Sequence, residues 1–403
     1  MPSSVLDIPH WEPPKETTRQ DIEWAELKTL DLSKVTGKDF TQVPQDVVKE
    51  IGDALHKDGF IYAENHGLSW ENVLRQFDIG QFAFHAVSQD DKVKHRAKII
   101  EEGSFNGYKP RELWTNNGVK DRIEHFNIQS PYFDEESFKK SFPAKVHPFY
   151  PEIAAFARYN HGVIIRKILT VLSLVLELPP DYLWQLAREP EKRGVDLLRY
   201  AMYHAPDPED DKALGGVRLQ GHTDFNMVSL LWSQPITSLE VLMPDNIWRL
   251  VQHRDNALVI NIGDALSFKS GGYLKPTIHR VVAPPEDQAH YERNSIFYFG
   301  LFNADVSLTP IEESPVVQAS AAKHNFWAEN KKSGEPIPTQ GQWEALRTAA
   351  YGQGLAKKGD DGHERETIAG TTVVHFNGET VQNQKQKRIG DLDIANLRIS
   401  AAA

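Results

Sequence analysis

The chain has 403 residues, of which 40% are hydrophobic and 10% aromatic, so it is long enough to bury a large core. Its formal net charge of −11 excludes the basic surface that a nucleic-acid-binding protein needs. The absence of cysteine excludes disulfides and thiolate ligands, which leaves His, Asp and Glu to bind a metal. No export signal or bilayer-spanning apolar run stands out. We therefore expect a cytoplasmic protein without a nucleic-acid or membrane partner; its oligomeric state stays open.

The first half of the chain is predicted to be mainly helical. Residues 1–25 are rich in Pro, Glu and Thr and predict an extended lead-in. Apolar residues then recur at helical spacing from Gln45 to Gly59, over Trp70–Val87 and over Glu152–Glu177, where Pro179 and Pro180 follow. The segment GFIYAENHG predicts a short buried strand between the first two helices. We assign residues 26–190 to this N-terminal part of helices and a strand.

The second half of the chain changes to short β-rich runs separated by turn residues. These runs are LLRYAMYHA, VRLQGHTD, MVSLLW, LEVLM, IWRLV, ALVINIG, PTIHRVV and RNSIFYFGLF. Their number and the helices before them predict a mainly β fold with flanking helices, built on a double-stranded β-helix, or jelly roll, over residues 191–310. Residues 311–403 form a C-terminal extension with one predicted helix at Gln342–Ala350. Three roles stay open for it: a cap over a site in the jelly roll, a surface for self-association, or a solvated appendage.

Three residues of the predicted jelly roll have the chemistry of a metal site. His222 and Asp224 lie two apart in GHTDF, so an extended backbone turns both side chains to one face. His279, in KPTIHRVV, lies in another predicted strand. Two imidazoles and one carboxylate make a facial triad, which leaves open positions on an iron ion for O2 and a chelating cosubstrate.

A predicted anion site follows in the last strand of the jelly roll. Arg293 offers a two-pronged donor for a carboxylate, and Ser295, on the same face of the strand, can donate a further hydrogen bond. Tyr200, in LLRY, is a candidate for a third donor from a neighbouring strand. An anion anchor beside a metal predicts an acidic ligand.

These motifs resemble the Fe(II)/2-oxoglutarate-dependent oxygenase superfamily, in its isopenicillin N synthase-like branch. The resemblance covers roughly residues 25–310 and rests on motifs that occur in the family's order: GFIYAENHGL, LLRY, GHTDFNMVSLLW, NIGDALSFKSGGYLKPTIHRVV and RNS. It implies Fe(II) bound by His222, Asp224 and His279. It also implies 2-oxoglutarate bound by Arg293, Ser295 and Tyr200, O2 as oxidant, and ascorbate as a candidate reductant.

The resemblance also implies the reaction class. We expect a dioxygenase that hydroxylates, desaturates or cyclises a small, specialised-metabolite substrate and releases succinate and CO2. Relatives line their substrate pockets at positions that correspond to Tyr108, Phe126 and Phe299, which would favour an apolar or aromatic substrate. Two other readings stay open: an isopenicillin N synthase-like oxidase that uses no 2-oxoglutarate, and a non-catalytic jelly-roll binding protein. A zinc hydrolase is disfavoured because no general base accompanies the triad.

Overall fold

The computed structural model describes residues 6–116, 118–130, 134–187, 196–351, 356–360 and 363–376. Its α-helices are α1 (Gln45–Lys57), α2 (Trp70–His85), α3 (Gln89–Lys94), α4 (Ile99–Glu102), α5 (Glu135–Ser141), α6 (Tyr150–Tyr159), α7 (Arg166–Val175), α8 (Tyr182–Gln185), α9 (Pro208–Ala213), α10 (Asp264–Lys269), α11 (Pro315–Ala321), α12 (Ala328–Ser333) and α13 (Gln340–Ala350). In this part of the chain no helix is both long enough and apolar enough to cross a membrane.

The strands form two large sheets and two small ones. They are β1 (Lys28–Asp31), β2 (Phe60–Glu64), β3 (Gly107–Lys109), β4 (Thr115–Asn116), β5 (Val119–Lys120), β6 (Ile123–Gln129), β7 (Leu197–Tyr203), β8 (Val217–His222), β9 (Val228–Trp232), β10 (Leu239–Leu242), β11 (Trp248–Leu250), β12 (Leu258–Ile262), β13 (His279–Val282), β14 (Arg293–Gly300), β15 (Lys357–Lys358), β16 (His363–Ile368) and β17 (Thr371–Phe376). Each of the eight β-rich runs of the second half forms a strand.

The two large sheets confirm the predicted jelly-roll core. One has the order β1-β2-β12-β9-β14-β7-β6-β3, and the other has the order β11-β10-β13-β8. Their pairings are antiparallel except for β1 with β2. Leu231 and Val259 of the first sheet share a core cluster with Leu239 and Val241 of the second, so the two sheets face each other. The site therefore lies between the two sheets and depends on residues from both.

The larger sheet is buried on both faces. Along β14, Ile296 and Tyr298 belong to the core that contains the helices. Phe297 packs with residues of the smaller sheet, and Phe299 lines the cavity between the two sheets. Successive side chains of a strand point to opposite faces, so the parity of a residue number decides which layer a side chain enters. This alternation decides which of the predicted site residues reach the site.

The helical layer matches the predicted elements closely. The predicted helix over Glu152–Glu177 is one continuous segment of α6, a π-helical turn at Asn160–Ile165, and α7. Its apolar side packs with α1, where a Cβ on Gly52 would lie 3.0 Å from Val175. The helices thus form the scaffold on the outer face of the larger sheet.

The C-terminal extension is a folded part of the molecule. The predicted helix is present as α13, which begins with a capping box between Thr339 and Gln342. Trp343 of this helix is fully buried and packs edge-on against Phe268 of α10, with ring centroids 5.0 Å apart. The sheet of β15, β16 and β17 follows and was not predicted, because its charged and β-branched residues lack a long apolar pattern.

Candidate metal centre

The three predicted metal ligands lie together between the two sheets. His222 ends β8, Asp224 lies in the turn after it, and His279 begins β13, where it is the cross-strand partner of His222. One carboxylate oxygen of Asp224 lies 3.8 Å from Nε2 of His222, and the other lies 3.8 Å from Nε2 of His279. All three ligand atoms lie within 4.8 Å of one another, which is the spacing of groups that share one ion.

Hydrogen bonds outside the triad orient each imidazole. Nδ1 of His222 donates to the carbonyl of Gln220 at 2.8 Å, and Nδ1 of His279 donates to the carbonyl of Thr277 at 3.1 Å. Because a carbonyl only accepts, each Nδ1 carries the proton and each Nε2 presents its lone pair to the centre.

Side-chain hydrogen bonds hold one of the two carboxylate oxygens of Asp224. One oxygen of Asp224 accepts hydrogen bonds from Ser229, at 2.5 Å, and from Asn261, at 2.9 Å. Burial by itself would raise the pKa of Asp224, but His279, His222 and these hydrogen bonds hold it below its ordinary value. Burial, followed by the neighbouring His279, lowers the pKa of His222 to about 3. A neutral imidazole and an ionised carboxylate are the forms that bind a metal.

The predicted anion site is a set of buried polar atoms without partners. In the described chain, Nε and Nη1 of Arg293 and Oγ of Ser295 are buried and make no hydrogen bond. Arg293 is 3% exposed and lines the inner cavity, which His222, Asp224 and His279 also line. Buried donors without acceptors are costly, so an acceptor that binds there is strongly favoured. The site fits a carboxylate beside the metal ligands.

The predicted role of Tyr200 is not supported by its position. Its ring packs against Gly80 of α2, and its hydroxyl donates to Gln76 at 2.7 Å, on the outer face of the larger sheet. Tyr203, three residues later, has the opposite parity and lines the inner cavity. The guanidinium carbon of Arg293 lies 4.9 Å from the centre of the Tyr203 ring. Tyr203 therefore occupies the place expected of Tyr200.

Two of the three predicted substrate contacts lie outside the cavities for the same reason. Phe126 on β6 pairs with Tyr200 and packs against Phe84 of α2, at a centroid distance of 5.5 Å. Tyr108 is the cross-strand partner of Phe126, and its hydroxyl donates to Glu124 at 2.5 Å. Both side chains belong to the helix-facing core.

Phe299 lies where its parity with Arg293 predicts, and it lines a second cavity. This aromatic cavity shares His222 and Asp224 with the inner cavity. Its aromatic lining residues are Phe105, Trp114, Tyr203, Phe225, Phe299 and Tyr351. The metal site thus opens on one side to an anion pocket and on the other to an aromatic space.

The C-terminal extension supplies part of this site. Tyr351 and Arg347 line the aromatic cavity. Nη2 of Arg347 donates to the carbonyl of Thr223 at 3.0 Å. In the sequence, Thr223 lies between the metal ligands His222 and Asp224. Arg347 also pairs with Asp264 and Glu366, each at 3.3 Å. No sequence pattern pointed to Arg347, because its role depends on a contact between segments more than a hundred residues apart.

Two family models match the chain at the segments that build this site. The N-terminal model, described as non-haem dioxygenase in morphine synthesis N-terminal, matches residues 27–151, and the 2OG-Fe(II) oxygenase superfamily model matches residues 195–300. Together they cover more than half of the 403 residues. The chain belongs to the 2OG-Fe(II) oxygenase superfamily, a class of oxidoreductases that use Fe(II), 2-oxoglutarate and O2.

Individual proteins are similar to this chain over about two thirds of its length or more. The UPF0676 protein of Schizosaccharomyces pombe is 26% identical over 339 residues, which are 80% of this chain and 94% of the relative. The 2-oxoglutarate-Fe(II) type oxidoreductase ppzD of Metarhizium rileyi is 24% identical and matches 66% of this chain and 78% of its own. The crystal structure of a full-length Neurospora crassa protein in complex with alpha-KG has a TM-score of 0.66 at 21% identity, covering 84% of this chain and 100% of that protein. That likeness shows a shared fold.

Proposed function

We propose that His222, Asp224 and His279 bind Fe(II), that Arg293, Ser295 and Tyr203 bind the distal carboxylate of 2-oxoglutarate, and that a small organic substrate is oxidised from the aromatic cavity. The observation that carries the proposal is the set of unpaired buried donors of Arg293, which lines the cavity of the triad, and of Ser295, two residues further along the same strand. A carboxylate would pair with these donors and remove the cost of burying them alone.

Each part of the proposed site has one physical task. The imidazoles present Nε2 because their Nδ1 protons are engaged by carbonyls. Ser229 and Asn261 hold the carboxylate of Asp224 in one orientation. Arg293 and Ser295 orient the cosubstrate by its far end, and apolar rings exclude water from the reacting side. Fe(II), with 2-oxoglutarate and O2, supplies the oxidising power of the family when it is bound.

The kind of product depends on how the substrate lies against this centre. Hydroxylation, desaturation and ring closure use the same oxidising power and differ in which substrate atom is nearest. A specialised metabolite stays our expected substrate. The cytoplasmic location and the action without nucleic-acid or membrane partners stay predictions from the sequence.

Cosubstrate binding is tested by anaerobic spectroscopy. Addition of 2-oxoglutarate to the Fe(II) protein should produce a weak visible charge-transfer band. The variant Arg293→Ala should need about tenfold or more 2-oxoglutarate to reach the same band, because a buried charged hydrogen bond is lost. Arg19→Ala, which changes an exposed arginine of the lead-in, is the matched control.

The same preparations distinguish a 2-oxoglutarate-dependent oxygenase from an oxidase that uses no 2-oxoglutarate. Succinate formed from 2-oxoglutarate in air supports the proposal, and His279→Ala should abolish it. Substrate turnover without any keto acid would reject the cosubstrate and favour the oxidase reading. Product formation that survives complete removal of the metal would reject the metal centre.

A further inference from the structure

Arg199 is a half-buried cation at the junction of the two cavities. It lines both of them, and its Nε donates to Oδ1 of Asn127 at 2.6 Å. Its guanidinium carbon lies 5.0 Å from the centre of the Phe105 ring and 4.8 Å from that of Phe299. In the part of the chain that the structure describes, no carboxylate forms an ion pair with it. A charge that is partly withdrawn from water without a counter-ion is costly even between two aromatic faces.

Asn127 connects Arg199 to a second donor. Its Oδ1 accepts from Arg199, so its Nδ2 donates to Nδ1 of His125, at 2.6 Å. His125 therefore carries its own proton on Nε2. His125 is 2% exposed, and in the described structure its Nε2 is buried without a hydrogen-bond partner, although the residue lines the aromatic cavity. A cation and a neutral N–H donor thus lie at the two ends of one hydrogen-bonded relay.

The proposed metal and cosubstrate do not account for Arg199. The carboxylate of Asp224 and the two carboxylates of 2-oxoglutarate match the charges of a divalent ion and of Arg293. The charge of Arg199 stays unmatched when the rest of the site is filled. Arg293 lines the inner cavity and not the aromatic one, so it does not serve a ligand in the aromatic space.

Three phenylalanine rings in the wall of the aromatic cavity are nearly parallel. The rings of Phe105 and Phe225 are 6.2 Å apart and inclined by 14°, and those of Phe225 and Phe299 are 6.3 Å apart and inclined by 24°. Nearly parallel rings favour flat apolar groups. Trp114 adds a buried indole N–H that has no partner among the described residues.

We propose that the aromatic cavity binds a small, flat, apolar acid, whose carboxylate accepts hydrogen bonds from Arg199 and from Nε2 of His125. This proposal rests on the proposed function, because it names the substrate class of that oxygenase. The acid group lies against the relay of Arg199, Asn127 and His125, and the flat body lies among the phenylalanine rings. The metal ligands His222 and Asp224 line the same space, so the body of the acid faces the oxidising centre.

Binding without turnover tests the substrate class. Protein loaded with Zn(II) and 2-oxoglutarate is titrated calorimetrically with phenylacetate, trans-cinnamate and 2-naphthoate, and with the amide of each. At least one acid should bind about tenfold or more tightly than its amide, since a charged hydrogen-bonded pair is exchanged for a neutral one. Equal affinity within every pair, or no acid binding at millimolar concentration, would overturn the proposal.

Two variants assign the preference to the relay. Arg199→Met and His125→Phe keep the volume of the cavity wall, and each should remove most of the preference for the acid while 2-oxoglutarate affinity stays within about twofold. Arg19→Met is the control for an exposed arginine. If Arg199→Met weakens 2-oxoglutarate binding and leaves the acid preference intact, Arg199 belongs to the cosubstrate and the proposal is wrong. His125→Phe repeats the test if Arg199→Met does not fold.

Failure of this proposal and failure of the proposed function give different results. Succinate formation by the Fe(II) protein without any added acid tests the oxygenase chemistry alone. If succinate forms and the acids bind no better than the amides, only the substrate class is wrong. If neither succinate nor the visible band appears, the oxygenase proposal itself fails.

Discussion

At the scale of the residue, the parity of a strand position decides whether a side chain serves the site or the scaffold. Arg293, Ser295 and Phe299 share one face of β14, and the sequence alone is sufficient to place them together. Tyr200 and Tyr203 are both buried tyrosines of β7, but they face opposite layers. A single motif cannot separate them, because the choice depends on which face of β7 meets the second sheet.

The two tyrosines make a matched pair of variants. Tyr203→Phe should weaken 2-oxoglutarate binding several-fold, because a polar group beside Arg293 is lost from the cavity. Tyr200→Phe should leave that affinity unchanged and lower the free energy of unfolding by about 1 kcal/mol, because the bond to Gln76 is lost. Titration of the visible band and denaturant unfolding measure the two effects. If Tyr200→Phe weakened 2-oxoglutarate binding and Tyr203→Phe did not, the sequence-based assignment of Tyr200 would be right.

At the scale of the element, the β16–β17 hairpin acts as an outer support for the strand that ends at His222. A Cβ on Gly221 would lie 2.0 Å from the carbonyl oxygen of Phe376, so β8 and β17 touch at their backbones. Glu366 of the hairpin pairs with Arg347, which in turn binds the carbonyl of Thr223. The extension therefore holds the metal-binding turn from outside.

The variant Gly221→Ala tests this support without a change in any cavity-facing side chain. The new methyl group should push the hairpin from β8, speed proteolysis within the C-terminal extension, and weaken metal binding by about tenfold, as loss of an outer contact to a ligand commonly does. Limited proteolysis and Co(II) titration measure these effects. Gly162→Ala is the control, since nothing lies within 4 Å of a Cβ there. Unchanged proteolysis and metal affinity would show that the hairpin does not support the site.

At the scale of the whole molecule, the extension is part of the folded core and not an appendage. Trp343 and Glu344 of α13 are both buried, and this helix brings a carboxyl group toward Asp196 at the start of the jelly roll. Burial, with the added effect of Asp196, raises the pKa of Glu344 to about 8. The folded protein therefore binds a proton that the unfolded chain releases near pH 4.5.

This proton makes the stability of the fold depend on pH. Between about pH 4.5 and 8 the folded state holds more protons at Glu344 than the unfolded state does. The contribution of Glu344 to the free energy of unfolding therefore falls as pH rises, and it levels off above pH 8. Glu344→Gln should gain stability relative to the wild type across this window, by at most about 1.4 kcal/mol per pH unit. Urea unfolding at pH 5 and pH 8.5 measures the difference. The control is Glu329→Gln at an exposed position, which should show the same pH dependence of stability as the wild type. If Glu344→Gln also showed the wild-type pH dependence, Glu344 would not retain its proton in the folded state.

Much of the fold could be predicted from the chain because periodicity is local. The eight short runs after residue 196, the helices α1, α2 and α13, and the continuous segment from α6 to α7 all carry their own apolar spacing. The three metal ligands and the Arg293–Ser295 pair could be predicted as well, since each motif lies on one strand and its chemistry is carried by residue type. The strands β3 and β6 and the C-terminal sheet carried no such pattern.

What the sequence by itself determined is therefore the set of helices and strands that carry their own apolar spacing, and the chemistry of the metal and anion sites. The tertiary structure alone decided which face of each strand meets the second sheet, and hence that Tyr203, Arg199 and His125 enter the site while Tyr200, Tyr108 and Phe126 pack against helices. It also decided that Arg347 and Tyr351 close the cavity. The physical reason is that a strand offers two equivalent faces, and only packing against distant segments makes one of them the interior of the site.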